Sequence, residues 1–142
     1  KYQYKLILDS IISLEKIEIK YDAVIDCLTS YSLIKKDFEK YIDNVSKKLN
    51  YNGHFHLQTL SKKADIFKKS YPAKIYNQNS IKKILRKNAP FYGDEYLFSF
   101  YSRKEIKKIL KRKFKKVNIE THSRTYRNSK EFFEYFVINC KK

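Results

Sequence analysis

Apolar residues in the first half of the chain alternate between short runs typical of strands and spacings typical of a helix. "KLILDS" at 5–10 and "YDAVIDC" at 21–27 each contain consecutive apolar residues that end in polar ones, which predicts two short buried strands. Between 35 and 49 the apolar residues fall three or four positions apart, which predicts an amphipathic helix. Gly53 is predicted to end this helix in a left-handed backbone conformation, and "HFHLQTL" at 54–60 is a third predicted strand.

The second half of the chain contains similar patterns. "SRKE" at 102–105 is a capping box, in which a serine and a glutamate three residues later begin a helix. The inner face expected of this helix consists of Ile106, Ile109, Leu110 and Phe114. "KKVNIET" at 115–121 is a fourth predicted strand, a polar loop is predicted at 122–129, and "EFFEYFVINCKK" at 131–142 is a fifth predicted strand.

The order of the predicted elements favours an α/β fold. Strands that alternate with helices along the chain are typical of a largely parallel sheet. Ligands in such folds bind beyond the carboxyl ends of the strands. The polar run at 26–32 directly follows the second predicted strand, so we expect a ligand site there.

Length and composition are those of one domain. The chain has 142 residues, of which 42% are hydrophobic, and this is enough for a core. No stretch reaches the roughly 18 consecutive apolar residues of a membrane span, so no membrane partner is expected. Cys27 and Cys140 are too few and too far apart for a disulfide scaffold, which favours a reducing, cytoplasmic location. His54 and His56 have no third ligand nearby in the sequence, so no metal site is expected.

Charge is the other strong compositional signal. The formal net charge is +17, and clustered cations gain free energy by releasing the counterions of nucleic acid. However, 27 of the 32 basic residues are lysine, whereas arginine is favoured for specific phosphate and base contacts. We therefore expect the cations to be dispersed, with RNA as the less favoured partner. A surface that bound RNA would instead join Lys62, Lys63, Lys68, Lys69, Lys82, Lys83, Arg86 and Lys87.

Three pieces of the chain, taken in order, resemble the carboxyl-terminal portion of a class I S-adenosylmethionine-dependent methyltransferase, from about residue 5 to 142. "YDAVIDCLTSYSL" is similar to the family's fourth strand and the loop after it. "YIDNVSKKLNYNGHFHLQTLSK" is similar to the next helix and the fifth strand. "FSFYSRKEIKKILKRKFKKVNIETHSRTYRNSKEFFEYFVINCKK" is similar to the last helix and the two final strands. The ending looks like the thiopurine- and tellurite-type branch, whose substrates are small molecules.

The resemblance implies a Rossmann-like α/β sheet that is mostly parallel, with an antiparallel last strand. The chain departs from the family in one respect: Gly53 and Gly93 are its only glycines, so it lacks the Gly-rich cofactor turn. The resemblance thus implies that residues 1–142 are the carboxyl-terminal part of one methyltransferase domain whose first two strands are absent from this chain. A preceding amino-terminal segment or a complementing chain would supply them. Residues 61–100, with a helix predicted at 80–86, would be a substrate-region insertion or lid.

The resemblance also implies the function and the site. The protein would be an enzyme that transfers a methyl group from S-adenosyl-L-methionine to an O, S or N atom of a small molecule, and this chain alone would be inactive. The residues implied for cofactor binding are Asp9, Ser10, Asp26, Cys27 and Leu28. Tyr31 would be catalytic, because it could orient or deprotonate the methyl acceptor. The residues expected to bind substrate are Ser32, Gln58, Thr59, Ser61, Arg124 and Arg127.

Other interpretations of these residues stay open. Asp9 could cap a helix, Asp26 could cap the loop that follows it, and Tyr31 could be a packed aromatic residue. At the level of function, the alternative is a methyltransferase-like module that does not catalyse and that binds RNA or a partner protein through its basic surface.

Overall fold

A sheet of seven strands organises the chain in the computed structural model, which describes residues 6–70, 73–87, 89 and 91–142. The strands are β1 (Tyr21–Cys27), β2 (Leu49–Ser61), β3 (Ala73–Asn77), β4 (Ser80–Ile84), β5 (Leu97–Tyr101), β6 (Lys116–Tyr126) and β7 (Glu131–Lys141). The helices are α1 (Lys35–Lys48), α2 (Asp65–Lys68) and α3 (Arg103–Leu110), with 3-10 turns η1 (Ile11–Lys16) and η2 (Ser30–Ser32).

The long strand β2 lies at the centre of the sheet. The strand order is β3-β4-β5-β2-β7-β6, and β1 pairs with the same edge of β2 as β5 does. The pairs of β2 with β1 and with β5 are parallel, whereas the other four pairings are antiparallel. The expectation of a mostly parallel sheet is therefore wrong, because two hairpins, β3–β4 and β6–β7, contribute antiparallel neighbours. The last strand is antiparallel to β2, as expected.

Several local predictions are confirmed. Helix α1 occupies the predicted amphipathic segment, and β1, β6 and β7 lie where strands were predicted. At the start of α3 the capping box is complete: Ser102 accepts from the backbone of Glu105, and the Glu105 side chain accepts from the backbone of Ser102. All four residues of the predicted inner face are buried, namely Ile106, Ile109, Leu110 and Phe114.

Other local predictions are wrong. Residues 6–10 do not form a strand; instead Ser10 caps η1, and Lys5 of that predicted strand lies outside the described residues. The helix predicted at 80–86 does not form, because residues 80–84 are strand β4, which pairs with β3 and β5. The predicted loop at 122–129 is mostly strand, because β6 pairs with β7 as far as Tyr126.

The predicted stop at Gly53 is also wrong, because α1 passes directly into β2. Asn52, rather than Gly53, has a positive φ of 63°. Gly53 is needed for a close approach instead, since a Cβ there would lie 3.0 Å from the carbonyl oxygen of Asn50.

The core has two parts. The larger part lies where α1 and α3 pack on one face of the central strands; it includes Phe38, Ile42, Leu57, Ile106 and Ile138. The smaller part lies around the carboxyl end of β2 and includes Leu60, Ile66, Ile81, Phe98 and Phe133.

Strand β1 is less buried than its apolar sequence predicts. Among the described residues it pairs only with β2, so its other edge has no strand partner in this part of the chain. Ile25 is 71% exposed, and Asp26 is the one residue of the strand that is buried.

Candidate active site

The loop after β1 is held from inside by Asp26. Its side chain is 4% exposed, and its Oδ1 accepts hydrogen bonds from the backbone N–H groups of Thr29 at 2.9 Å and Ser30 at 3.3 Å. Leu28, between strand and turn, has a φ of 56°, which makes the bend sharp. This is the geometry of the structural alternative, in which Asp26 caps the loop. A cofactor role for its carboxylate stays a prediction.

Several buried oxygens beneath this loop have no hydrogen-bond partner among the described residues. They are Asp26 Oδ2, Ser30 Oγ and Thr59 Oγ1. Tyr41 of α1 lies near the same carboxylate: burial, together with the charge of Asp26, raises the pKa of its phenol. The phenol is therefore protonated and uncharged at neutral pH.

Tyr31 packs against the smaller core. Its ring is stacked on that of Phe98, with centroids 5.4 Å apart and an angle of 5° between the planes. Ser32, the next residue, is exposed; its hydroxyl donates to the carbonyl of Thr29 at 3.0 Å. Ser32 also lines a shallow cavity of about 490 Å³, together with Asp37, Lys82 and Tyr96.

The predicted substrate residues of β2 lie on two different faces of the sheet, because successive side chains of a strand alternate. Gln58 is the register partner of Cys27 and lies on the face away from α1 and α3. Thr59 and Ser61 lie on the opposite face and are buried. Ser61 donates to Glu134 Oε1 at 2.6 Å, which ties β2 to β7. Only Gln58 of these three can line an open surface with Cys27.

Sequence reasoning missed a polar row beside Gln58. His56 Nδ1 lies 2.9 Å from Asn139 Oδ1, and its Nε2 lies 3.4 Å from Gln58 Nε2. The signal was the alternation of His56 and Gln58 with apolar residues in "HFHLQTL". The contact with Asn139 required the β2–β7 register, which the sequence does not display.

The first two predicted cofactor residues lie at the start of the chain. Asp9 accepts from the backbone N–H of Ser10 at 2.7 Å and from Lys16 at 3.0 Å, and the hydrogen bond from Lys16 lowers its pKa. Both Asp9 and Ser10 line an open groove of about 1090 Å³, shared with Leu6 and Ile19. Their hydrogen bonds are those of a capped turn.

The two predicted arginines lie at the β6–β7 hairpin. Arg124 belongs to β6 rather than to a loop, and its guanidinium lies 4.4 Å from the centre of the Tyr126 ring. Arg127 begins the turn with a φ of 55°. No group of three His, Cys, Asp or Glu residues within the described ranges could hold a metal ion. In the same ranges, no helix has the length and apolarity to span a membrane.

Solved structures share this fold, although no protein-family model and no curated protein matches the sequence. A SAM-dependent methyltransferase from Methanosarcina mazei aligns with a TM-score of 0.64 and 15% identity, over 94% of this chain and 65% of that one. An S-adenosylmethionine-dependent methyltransferase from Clostridium acetobutylicum gives 0.62 and 19%, over 98% and 65%. The 1,6-didemethyltoxoflavin-N1-methyltransferase of Burkholderia thailandensis, with 1,6-didemethyltoxoflavin and S-adenosylhomocysteine bound, gives 0.59 and 12%, over 96% and 49%.

These alignments show that the chain has the fold of the methyltransferase structures over nearly its whole length. The chain spans 65% of the first two structures and 49% of the third.

Proposed function

We propose that the chain is the carboxyl-terminal part of an S-adenosylmethionine-dependent methyltransferase domain that methylates an O, S or N atom of a small molecule. The observation that carries the proposal is the shared fold with structures described as methyltransferases, one of them with S-adenosylhomocysteine bound. Within the family, we propose that the protein is most similar to the thiopurine- and tellurite-type branch, because the end of the sequence resembles that branch.

The loop after β1 is the part of this chain that we propose binds the cofactor. Asp26 holds the loop from beneath, and Cys27, the register partner of Gln58, is exposed beside it, whereas Leu28 packs partly on the smaller core. Bound S-adenosylmethionine would supply a methyl group activated by its sulfonium. The protein then needs mainly to hold the acceptor in line with that group. In this proposal Gln58, which contacts His56, would orient a polar acceptor, and Tyr31, stacked on Phe98, would form a wall of the site.

The rest of the site is proposed to come from another segment. The outer edge of β1 has no described partner, and Leu8, Ile19 and Ile25 beside it are 105%, 62% and 71% exposed. Unpaired strand edges and exposed aliphatic side chains are suited to addition of a strand. We propose that an amino-terminal segment or a complementing chain covers this edge, and that the chain alone is inactive.

Calorimetric titration with S-adenosylhomocysteine tests the proposal. The native protein is used, together with any amino-terminal segment or complementing chain. We expect saturable binding that Gln58→Ala weakens and that Lys107→Ala, on the distant surface of α3, leaves unchanged. Failure of the native polypeptide to bind the compound would contradict the proposal.

The alternative function, a basic module that binds RNA or a partner protein, was expected to use the cations around 62–69 and 82–87. Four of these eight cations have a carboxylate partner: Lys62 pairs with Glu105, Lys69 with Asp65, Lys83 with Glu95, and Arg86 with Glu131. The ion pairs reduce the positive charge that this surface can offer to a polyanion.

A further inference from the structure

A different group of cations lies near an exposed aromatic ring at the amino-terminal end of β2, away from the loop after β1, and one of them contacts the ring. We call this group the Tyr51 patch; it consists of Tyr51, Lys115, Lys116, Lys141 and Lys142. The Tyr51 side chain is 78% exposed, and the ammonium of Lys115 lies 5.1 Å from the centre of its ring. The backbone N–H of Lys115 donates to the carbonyl of Lys141 at 3.0 Å, which brings β6 and β7 to the same place.

The backbone fixes the remaining members of the patch. Lys116 and Lys141 are direct register partners on β6 and β7. The backbone N–H of Lys142 donates to the carbonyl of Gly53 at 3.1 Å, and its ammonium donates to the carbonyl of Leu49 at 2.8 Å. Backbone pairing at the ends of β2, β6 and β7 therefore holds the residues of the patch close together.

The charge of this patch is not compensated within the described residues. None of its four lysines forms an ion pair with a carboxylate in that part of the chain, whereas the nearby Arg112 and Lys113 pair with Glu39 and Asp43 of α1. Like charges directly opposite each other, as Lys116 and Lys141 are, destabilise a sheet. A bound anion between them would remove this repulsion.

The surface next to the patch extends the positive charge. Lys107 and Lys108 on α3 and Lys111 directly after it are exposed, and no carboxylate of the described residues pairs with them. The turn after α3 connects these lysines to Lys115. A polymer of negative charge could therefore contact both the sheet edge and the helix.

The exposed ring of Tyr51 favours single-stranded nucleic acid over other polymers of negative charge. Bases of single-stranded nucleic acid stack on aromatic side chains without strong sequence preference, while lysines neutralise the phosphates. Lys115 occupies one face of the Tyr51 ring, and the other face is accessible to a base. We propose that the Tyr51 patch binds single-stranded RNA, with one base on Tyr51 and phosphates on Lys115, Lys116 and Lys141. This binding is independent of the proposed methyltransferase function.

Fluorescence anisotropy with a labelled 12-nucleotide oligouridine tests the proposal. We expect Tyr51→Ala to weaken binding roughly 5- to 150-fold and Tyr51→Phe to leave it nearly unchanged, because phenylalanine retains the ring. With about three phosphates neutralised, the slope of log K against log salt should be about −2.

A matched pair of triple variants separates a local site from general charge attraction. Lys115→Gln/Lys116→Gln/Lys141→Gln should reduce binding at least 30-fold. Lys63→Gln/Lys68→Gln/Lys87→Gln removes the same charge from exposed positions elsewhere and should reduce it less than 3-fold. Circular dichroism would confirm that each variant is folded.

Three results would overturn the proposal. One is an equal loss of affinity in both triple variants, which would mean diffuse attraction. Another is unchanged binding by Tyr51→Ala. The third is binding to vesicles of phosphatidylserine and phosphatidylcholine that depends on the same residues while the oligouridine does not bind, which would assign the patch to a membrane surface.

Discussion

Asp26 determines how firmly the loop after β1 is held. Its Oδ1 accepts backbone hydrogen bonds of 2.9 and 3.3 Å, and the side chain is 4% exposed. A hydrogen bond to a charged group contributes about 1.5–3 kcal/mol, and a buried N–H left without a partner costs about 1–3 kcal/mol. Because the second bond is long, we expect Asp26→Ala to lower the free energy of unfolding by about 2–4 kcal/mol in total. At about 4 °C per kcal/mol, Tm would fall by roughly 8–16 °C.

Asp22→Ala is the matched control for this change. Asp22 is exposed and accepts one hydrogen bond, of 2.9 Å, from the side chain of Asn50, so its loss should cost at most about 0.5 kcal/mol. Urea denaturation followed by circular dichroism measures both. Asp26→Ala should also weaken the binding of S-adenosylhomocysteine roughly 10- to 150-fold more than Asp22→Ala does. Equal unfolding free energies for the two alanine variants would refute the assignment of Asp26 as the residue that holds the loop.

Three further predictions concern stability. Burial raises the pKa of Glu105, but hydrogen bonds from Ser102, Lys62 and Asn79 outweigh it and hold the pKa at about 2. Its contribution is therefore full above the unfolded pKa of 4.5 and is lost as the pH falls toward 2, so acid unfolding should be less steep in Glu105→Gln. Arg86→Met leaves the buried Glu131 unpaired and should cost about 3 kcal/mol in urea denaturation, whereas Lys83→Met, at an exposed pair, should cost under about 0.5 kcal/mol. Gly53→Ala should cost about 1 kcal/mol, because its Cβ would lie 3.0 Å from a backbone oxygen; an unchanged Tm would contradict this.

The elements that were predicted correctly are those whose sequence patterns involve residues close together in the chain. The capping box of α3 and the amphipathic spacing of α1 depend on residues three or four positions apart, and both helices form as expected. Segment 80–86 has a similar spacing, but its residues 80–84 are strand β4, because their pairing with β3 and β5 determines their conformation. The polar residues at 122–126 resemble a loop, yet β6 is an edge strand with mostly exposed side chains, where polar residues are compatible with pairing.

The sequence predicts where the candidate site lies better than it predicts the directions in which its side chains point. The sequence places polar groups at the end of β1, and Cys27 and Gln58 are register partners there. It does not reveal that the Asp26 carboxylate turns inward to two backbone N–H groups. Nor does it show that Thr59 lies on the covered face and Gln58 on the other, since that depends on which face α1 and α3 cover.

The central claim, that the carboxyl end of β1 is part of an S-adenosylmethionine site, is tested most directly by NMR. S-adenosylhomocysteine would be titrated into the isotopically labelled native polypeptide while its backbone amide resonances are followed. We predict saturable shifts concentrated at Cys27, Leu28 and Gln58, with the resonances of Lys107 and Lys111 unchanged. Saturable shifts confined to residues far from this loop, or no shifts at all, would contradict the claim.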